Sequence, residues 1–252
     1  MSRGHTVIPV SRRKDAGLFE VRSYEESPVS DVVIHLAEEP DQRKANQLGE
    51  AYIHQTARVV TALARHRNQR VIYASSGVVY GGEHESPCPV ETPVVGTDVY
   101  SRSKLKNEQI VLAAGGVAVR FSNLFGVGMA GTNVLSDILR QIPGTGPIRV
   151  RDDRPIRDFL AVSDATSALG LLVERAYSGV LNVGSGIGTS IRGLSAVLLT
   201  AANQPARDVI STRPSVKRSV NVLDISATVC LLRWSPAASL EEHLRHLVAA
   251  KE

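Results

Sequence analysis

Residues 70–82 read RVIYASSGVVYGG. Val71, Ile72 and Tyr73 form an apolar, β-rich run that ends on two serines and a glycine. A run of this kind, with no polar alternation, reads as a strand covered on both faces. Comparable runs recur as TVIPV at Thr6–Val10, DVVIHLA at Asp31–Ala37, VAVRFS at Val117–Ser122 and VLNVG at Val180–Gly184. Helical patterns lie between them, at about 41–66, 98–114, 163–176 and 190–203. Strands that alternate with helices predict an α/β fold with a parallel sheet and crossover helices. Turn residues Pro143, Gly144, Gly146 and Pro147, and the Arg/Pro-rich stretch 205–218, read as loops of a smaller C-terminal lobe.

Composition narrows the classes. The chain has 252 residues, 43% hydrophobic and 21% charged, which suits a packed globule rather than a disordered one. No apolar run reaches spanning length and no leader pattern opens the chain, so no membrane partner and a cytoplasmic location are expected. Cys88 and Cys230 are too few for a disulfide framework and do not form a CxxC pair. Net charge is +4, and the scattered arginines read first as an Arg-rich surface, with contact of a few of them to a phosphate-bearing ligand as the sharper alternative. Aromatic residues are only 4% and no basic block is present, which argues against nucleic acid.

The stretch DVYSRSKLKNE at 98–108 bears the candidate chemistry. On a helix, Tyr100 and Lys104 lie four apart and share a face. A tyrosine exchanges protons near neutral pH only when its acidity is raised, and a neighbouring ammonium favours the phenolate. The bland alternative is a surface helix with an ordinary Tyr and Lys. About two dozen residues upstream, Ser75 and Ser76 end the strand, where ligands bind in open α/β sheets.

Strand, Ser-Ser-x-x-x-Tyr-Gly, then helical Tyr-x-x-x-Lys resembles the extended short-chain dehydrogenase/reductase superfamily, and within it the NAD(P)-dependent epimerase/dehydratase family of nucleotide-sugar enzymes. DVVIHLA, RFSNLFGVG, RPIRDFLAVSDA, VLNVGSGIGTSIRGL and RPSVKRSVNVLDIS resemble later segments in family order. The resemblance implies a Rossmann-like parallel sheet and hydride transfer at a sugar carbon, as a 4-ketoreductase or a 4-epimerase. It implies catalytic roles for Ser76, Tyr100 and Lys104. Cofactor contacts would come from Ser11, Arg12, Leu36, Ala37, Ser75, Tyr100 and Lys104. Ser76, Asn123, Arg157 and Arg213 would hold the nucleotide sugar, and a homodimer would form through helices 41–66 and 98–114. A cofactor domain over 1–122, rejoined by 160–184, and a substrate lobe over 123–159 and 185–252 are expected.

The family opens with a strand, a Gly-rich turn and a helix that seat the cofactor pyrophosphate. SRGHTVIPVSRR resembles the family only from the end of that helix onward. The expectation is therefore a sheet that lacks its first strand, from a truncated or mis-started chain, with a folded non-catalytic nucleotide-sugar binder as the alternative function. Strand 6–10 would then lack one neighbour, and Pro9 keeps it from filling a central position. Ser11, Arg12 and Arg13 at its end suit the extra phosphate of NADP over NAD.

Other features read as structural. GSGIGTS at 184–190 is spaced Gly-x-Gly-x-Gly and reads as a late turn rather than a dinucleotide loop. Gly77-Val78 after Ser76 differ from the Asp-Glu of the family's dehydratases. Tyr52, four before Thr56, stands where the family usually has asparagine. His35 reads as a satisfied core residue, and His243 and His246 as surface residues rather than metal ligands, so no metal is expected.

Overall fold

The structure is a computed structural model that describes residues 4–15, 17–66, 69–217 and 219–249. The chain enters through two short parallel strands, β1 (Val10–Ser11) and β2 (Phe19–Glu20). Strand β3 (Val32–His35) opens the main sheet. Helices α1 (Gln42–Leu48) and α2 (Glu50–Ala64) lead to β4 (Arg70–Ser76), and α3 (Val99–Ala113) leads to β5 (Val117–Phe121). Then come β6 (Asn123–Phe125), α4 (Val134–Gln141), β7 (Ile148–Val150) and β8 (Ile156–Ala161). Helix α5 (Val162–Val173) returns the chain to the main sheet at β9 (Gly179–Val183). The remainder is β10 (Gly188–Ser190), α6 (Ile191–Ala201), β11 (Val209–Ser211), β12 (Val220–Asn221), α7 (Ser226–Leu232) and α8 (Leu240–Ala249).

The main sheet has the order β3-β4-β5-β9, all parallel, as the alternation of elements requires. Strand residues alternate between its faces. Val71 and Tyr73 pack with Val60, Leu63 and Val111 of α2 and α3. Ile72, Val117, Val119 and Leu181 pack on the other side with Ala165, Ala168 and Leu172 of α5. A separate core joins α4, β7, α6 and α8 through Leu135, Ile138, Ile148, Leu194, Leu198 and Leu244. The protein is thus an α/β fold with a Rossmann-like parallel sheet.

Several expectations need correction. Thr6–Val10 is not a strand along its length; only Val10 and Ser11 form ladder pairs, with Phe19 and Glu20. That pair of strands stands apart from the main sheet, and β3 is an edge strand among the described residues. The helix expected at 41–66 is two helices, broken where Gly49 takes φ +63, a left-handed value that glycine adopts at little cost. The 205–218 stretch is not all loop, since β11 pairs in parallel with β7.

Candidate active site

Helix α3 begins at a capping box. Asp98 accepts from Ser101 N at 2.8 Å, and Ser101 Oγ accepts from Asp98 N at 3.1 Å. Asp98 also accepts from Gln42 at 2.6 Å and Asn46 at 2.9 Å, while Asn46 Oδ1 takes Tyr100 N at 2.9 Å. Gln42 and Asn46, one turn apart on α1, therefore fix the first turn that holds Tyr100. The buried face of α3 is polar: Ser101, Ser103, Lys104, Asn107 and Glu108 all face inward. Ser103 meets Thr56 of α2 across 2.8 Å between hydroxyl oxygens.

Lys104 is 6% exposed. Its ammonium donates to Ala74 O and to Glu38 Oε2, each at 2.8 Å. The ring of Tyr100 lies 5.5 Å from Nζ, and the ring of Tyr73 lies 5.1 Å away. Burial works against the charge, but the Glu38 carboxylate leads the opposing causes, and the ammonium's pKa is raised above its usual 10.5. Glu38 Oε2 also accepts from Tyr73 OH at 2.9 Å, and Oε1 from Asn107 at 2.8 Å. Burial first, and Glu38 second, push the phenols of Tyr73 and Tyr52 upward and hold them protonated. Half-buried Tyr100 is the third phenol of this group. His35 is in the core, as expected, and stacks on Tyr73 with centroids 6.1 Å apart.

A second polar network lies beneath the first. Ser75 is buried and donates to Glu108 at 2.5 Å, and Glu108 is held by two guanidinium nitrogens of Arg120 at 3.0 and 2.7 Å. Arg120 continues to Tyr80 OH at 2.9 Å, and Tyr80 donates to Asn182 at 2.8 Å. The Ser75 side chain is therefore committed to the protein interior. Ser76 is half-buried, and its Oγ accepts from Val78 N at 3.3 Å to cap the turn 77–80. Gly77 is needed there, because a Cβ would come 2.9 Å from Leu223 and 3.3 Å from Phe121 O. Asn221 pins the turn by donating to Gly77 O and Gly81 O.

The sequence-derived residues are thus distributed as follows. Tyr100 and Lys104 are together, and Lys104 is tied to β4 two residues before Ser76. A direct bond between Ser76 and Tyr100 is not among the hydrogen bonds of the described residues. Leu36, 61% exposed, and exposed Ala37 follow β3 and form an open apolar ledge at its carboxyl end. Half-buried Ser11 accepts from Arg13 N, and exposed Arg12 stacks on Tyr24 at 5.3 Å. Asn123 donates its amide to Asp158 O at 2.9 Å. Arg157 donates to Ser219 O at 3.0 Å and Ser219 Oγ at 2.8 Å; burial lowers its pKa. In register, Arg157 pairs with Asn221, so one strand separates it from the Ser76 turn. Arg213 is exposed, with its backbone N on Arg151 O.

The turn at 184–190 is filled by the protein itself. Asp158 accepts from Ser185 N at 2.8 Å and Gly186 N at 3.1 Å, and a Cβ at 184 would fall 2.4 Å from its carboxylate. The spacing Gly-x-Gly-x-x-Gly does occur at Gly126, Gly128 and Gly131, between β6 and α4. Packing explains Gly126, whose Cβ would meet Val162 at 2.8 Å, and φ +79 explains Gly128. His243 is not a plain surface residue: its ring lies 2.9 Å from buried Asp164. Among the described residues no cluster of three metal-binding side chains occurs, and no helix is long and apolar enough to cross a membrane.

Sequence reasoning missed Glu38, Tyr73, Asn107, Glu108 and Arg120. The only signal was the buried polar stripe at 100, 104, 107 and 108, which helical spacing could have revealed. It also missed a cavity of about 340 Å³ between α4 and β7, lined by Arg140, Arg149 and Arg151 around Asp137.

A family model described as NAD dependent epimerase/dehydratase family matches residues 1–184. The chain is 24% identical over 193 residues to a dTDP-4-dehydro-6-deoxyglucose reductase of Escherichia coli, across 71% of this chain and 60% of the relative. It is 24% identical over 222 residues to UDP-glucose 4-epimerase 2 of Arabidopsis thaliana, across 76% and 63%. It therefore spans less than two thirds of the length of these curated relatives. The structure of RMD from Pseudomonas aeruginosa, complexed with NADPH, superposes with a TM-score of 0.80 at 26% identity, covering 87% of this chain and 79% of that one.

Proposed function

Because the chain belongs to the NAD dependent epimerase/dehydratase family, we propose that it serves hydride transfer between a nicotinamide cofactor and a ring carbon of a nucleotide sugar. The observation that supports this most is the placement of Tyr100 and Lys104 on the inner side of α3, with Lys104 tied to the carboxyl end of β4. The cofactor would supply and accept the hydride. Leu36 and Ala37 offer it an apolar ledge, and Arg12, braced on Tyr24, suits a phosphate. Of the two outcomes expected from the sequence, the 4-ketoreductase using NADP is favoured by Ser11, Arg12 and Arg13 in this chain, with a reductase among its relatives. The 4-epimerase with NAD is the second reading, supported by the several relatives of that activity.

In this reading Tyr100 holds or releases the proton on the sugar oxygen, and Lys104 keeps a positive charge beside it. Ser76 orients the same oxygen from the strand end. Arg157, Asn123 and Arg213 grip the sugar nucleotide, for which arginine's fork suits a diphosphate. Dimer formation through α2 and α3 belongs to the same proposal.

Calorimetric titration with NADPH, NADH and nucleoside-diphosphate sugars, followed by product analysis, tests the reading. Stoichiometric consumption of NADPH with a 4-keto sugar nucleotide supports the reductase. Sugar interconversion without net consumption supports the epimerase. Sugar-nucleotide binding with no cofactor binding would reduce the chain to a non-catalytic binder.

A further inference from the structure

Glu38 is the acid against which Lys104 is set, and no role above uses it. Its side chain is 6% exposed. It binds Lys104 and Tyr73 through Oε2 and Asn107 through Oε1, with His35 Nε2 3.8 Å away. A lone ammonium 5.5 Å from a phenol ring would draw that phenol toward its ionised form. A carboxylate 2.8 Å from the ammonium opposes that pull, because the two charges act on the phenol with opposite sign. We propose that Glu38 is a positioning residue acting through Lys104: it pins the ammonium against β4, screens it from Tyr100, and so sets the pH at which the Tyr100 phenol gives up its proton. The proposal deepens the hydride-transfer reading and rests on it for its catalytic meaning.

The surroundings leave this pair in control. From β3 and the segment after it come His35, Glu38 and Glu39; from β4, Tyr73; from α2, Tyr52; from α3, Lys104 and Glu108. Burial keeps His35 neutral, with Glu38 opposing that effect and Lys104 adding to it. Tyr52 and Tyr73 stay as phenols, and Glu108 is spent on Arg120 of β5. Glu39 is engaged near the start of α1, where its Oε1 accepts from Asp41 N. Asn107 belongs to the same group of contacts. It turns its NH2 toward the carboxylate and the Tyr73 oxygen, and its Oδ1 is left buried without a partner among the described residues. With glutamine at 38 the Asn107 amide can turn over and accept from the new side-chain nitrogen, so Glu38→Gln fits the site.

Near-ultraviolet phenolate titration tests the proposal, with Tyr100 assigned by subtracting the matching chain that has Tyr100→Phe. In Glu38→Gln the Tyr100 midpoint is expected to fall by about one pH unit or more, and Glu38→Asp should hold it at the wild-type value. An unmoved midpoint in a Glu38→Gln chain that still melts cooperatively would overturn the proposal. If that variant does not fold, the neutral pair Glu38→Gln with Lys104→Met decides. The proposal expects its Tyr100 midpoint to stay within about half a unit of wild type, whereas a rise of about one unit or more would mean Lys104 had acted unscreened. This reading needs no turnover. A shifted midpoint without cofactor binding sustains the proposal and sinks the hydride-transfer function; turnover with an unmoved midpoint does the reverse.

Discussion

Arg120 sits in β5, on a strand whose five positions are all buried. A guanidinium there is tolerable only because every direction it faces supplies an acceptor: Glu108 twice, Tyr80 and Val90 O. Removing one partner strands the other charge in the interior, which costs far more than the pair's net worth. Glu108→Ala is expected to lose about 3–5 kcal/mol in urea unfolding, and a loss under about 1 kcal/mol would show the pair to be slack. Tyr100 makes a different kind of claim. It is half-buried and bonded through its backbone, so Tyr100→Phe should leave the melting curve nearly unchanged. Turnover should fall by roughly 10²–10⁴-fold if the phenol transfers the proton. Full activity in that variant, measured by cofactor oxidation, would remove Tyr100 from the mechanism.

Helix α3 depends on its first turn. Asp98 satisfies Ser101 N and draws α1 in through Gln42 and Asn46, and these bonds outweigh burial to keep its carboxyl below the usual range. Asp98→Ala should cost about 1–2 kcal/mol, read from chemical denaturation. It should also lower activity, because Tyr100 lies in the turn that loosens. A cost confined to stability, with kcat intact, would separate the cap from the site. Elements of this sort show how much the sequence discloses. Strands β4, β5 and β9 were legible because each is a largely apolar run, and α3 was legible through the spacing of Tyr100 and Lys104. Strands β6, β10, β11 and β12 were not. Each is two or three residues long, and each exists only because a distant strand pairs with it. Glu38 was hidden for a related reason. It lies in Glu38-Glu39-Pro40-Asp41, a charged stretch with no apolar pattern, and contacts from α3 and β4 bury it.

At the scale of the whole molecule, stability should depend on pH through His35. Its imidazole is held below the ordinary 6.5, first by burial and further by Lys104, against the pull of Glu38. The unfolded chain therefore takes up the proton first as pH drops. This contribution is complete above about 6.5 and is lost as pH falls through the folded-state value. Asp98 and Asp224, both with lowered values, add losses in the same direction at more acid pH. Unfolding free energy should decline below neutrality more steeply in the wild type than in His35→Phe, by up to about 1.4 kcal/mol per pH unit. Parallel slopes would show that His35 takes up its proton in the folded chain as readily as in the unfolded one. The edge position of β3 has a consequence of its own. In a strand paired on one side only, alternate amides point outward. Those of β3 should exchange with deuterium within the shortest labelling times, while those of β5, flanked on both sides, should wait for global opening. Heavy-water labelling would then record a gradient across the four strands, steepest at Leu36 and Ala37, and any small molecule seated there would announce itself as slower uptake at that end alone.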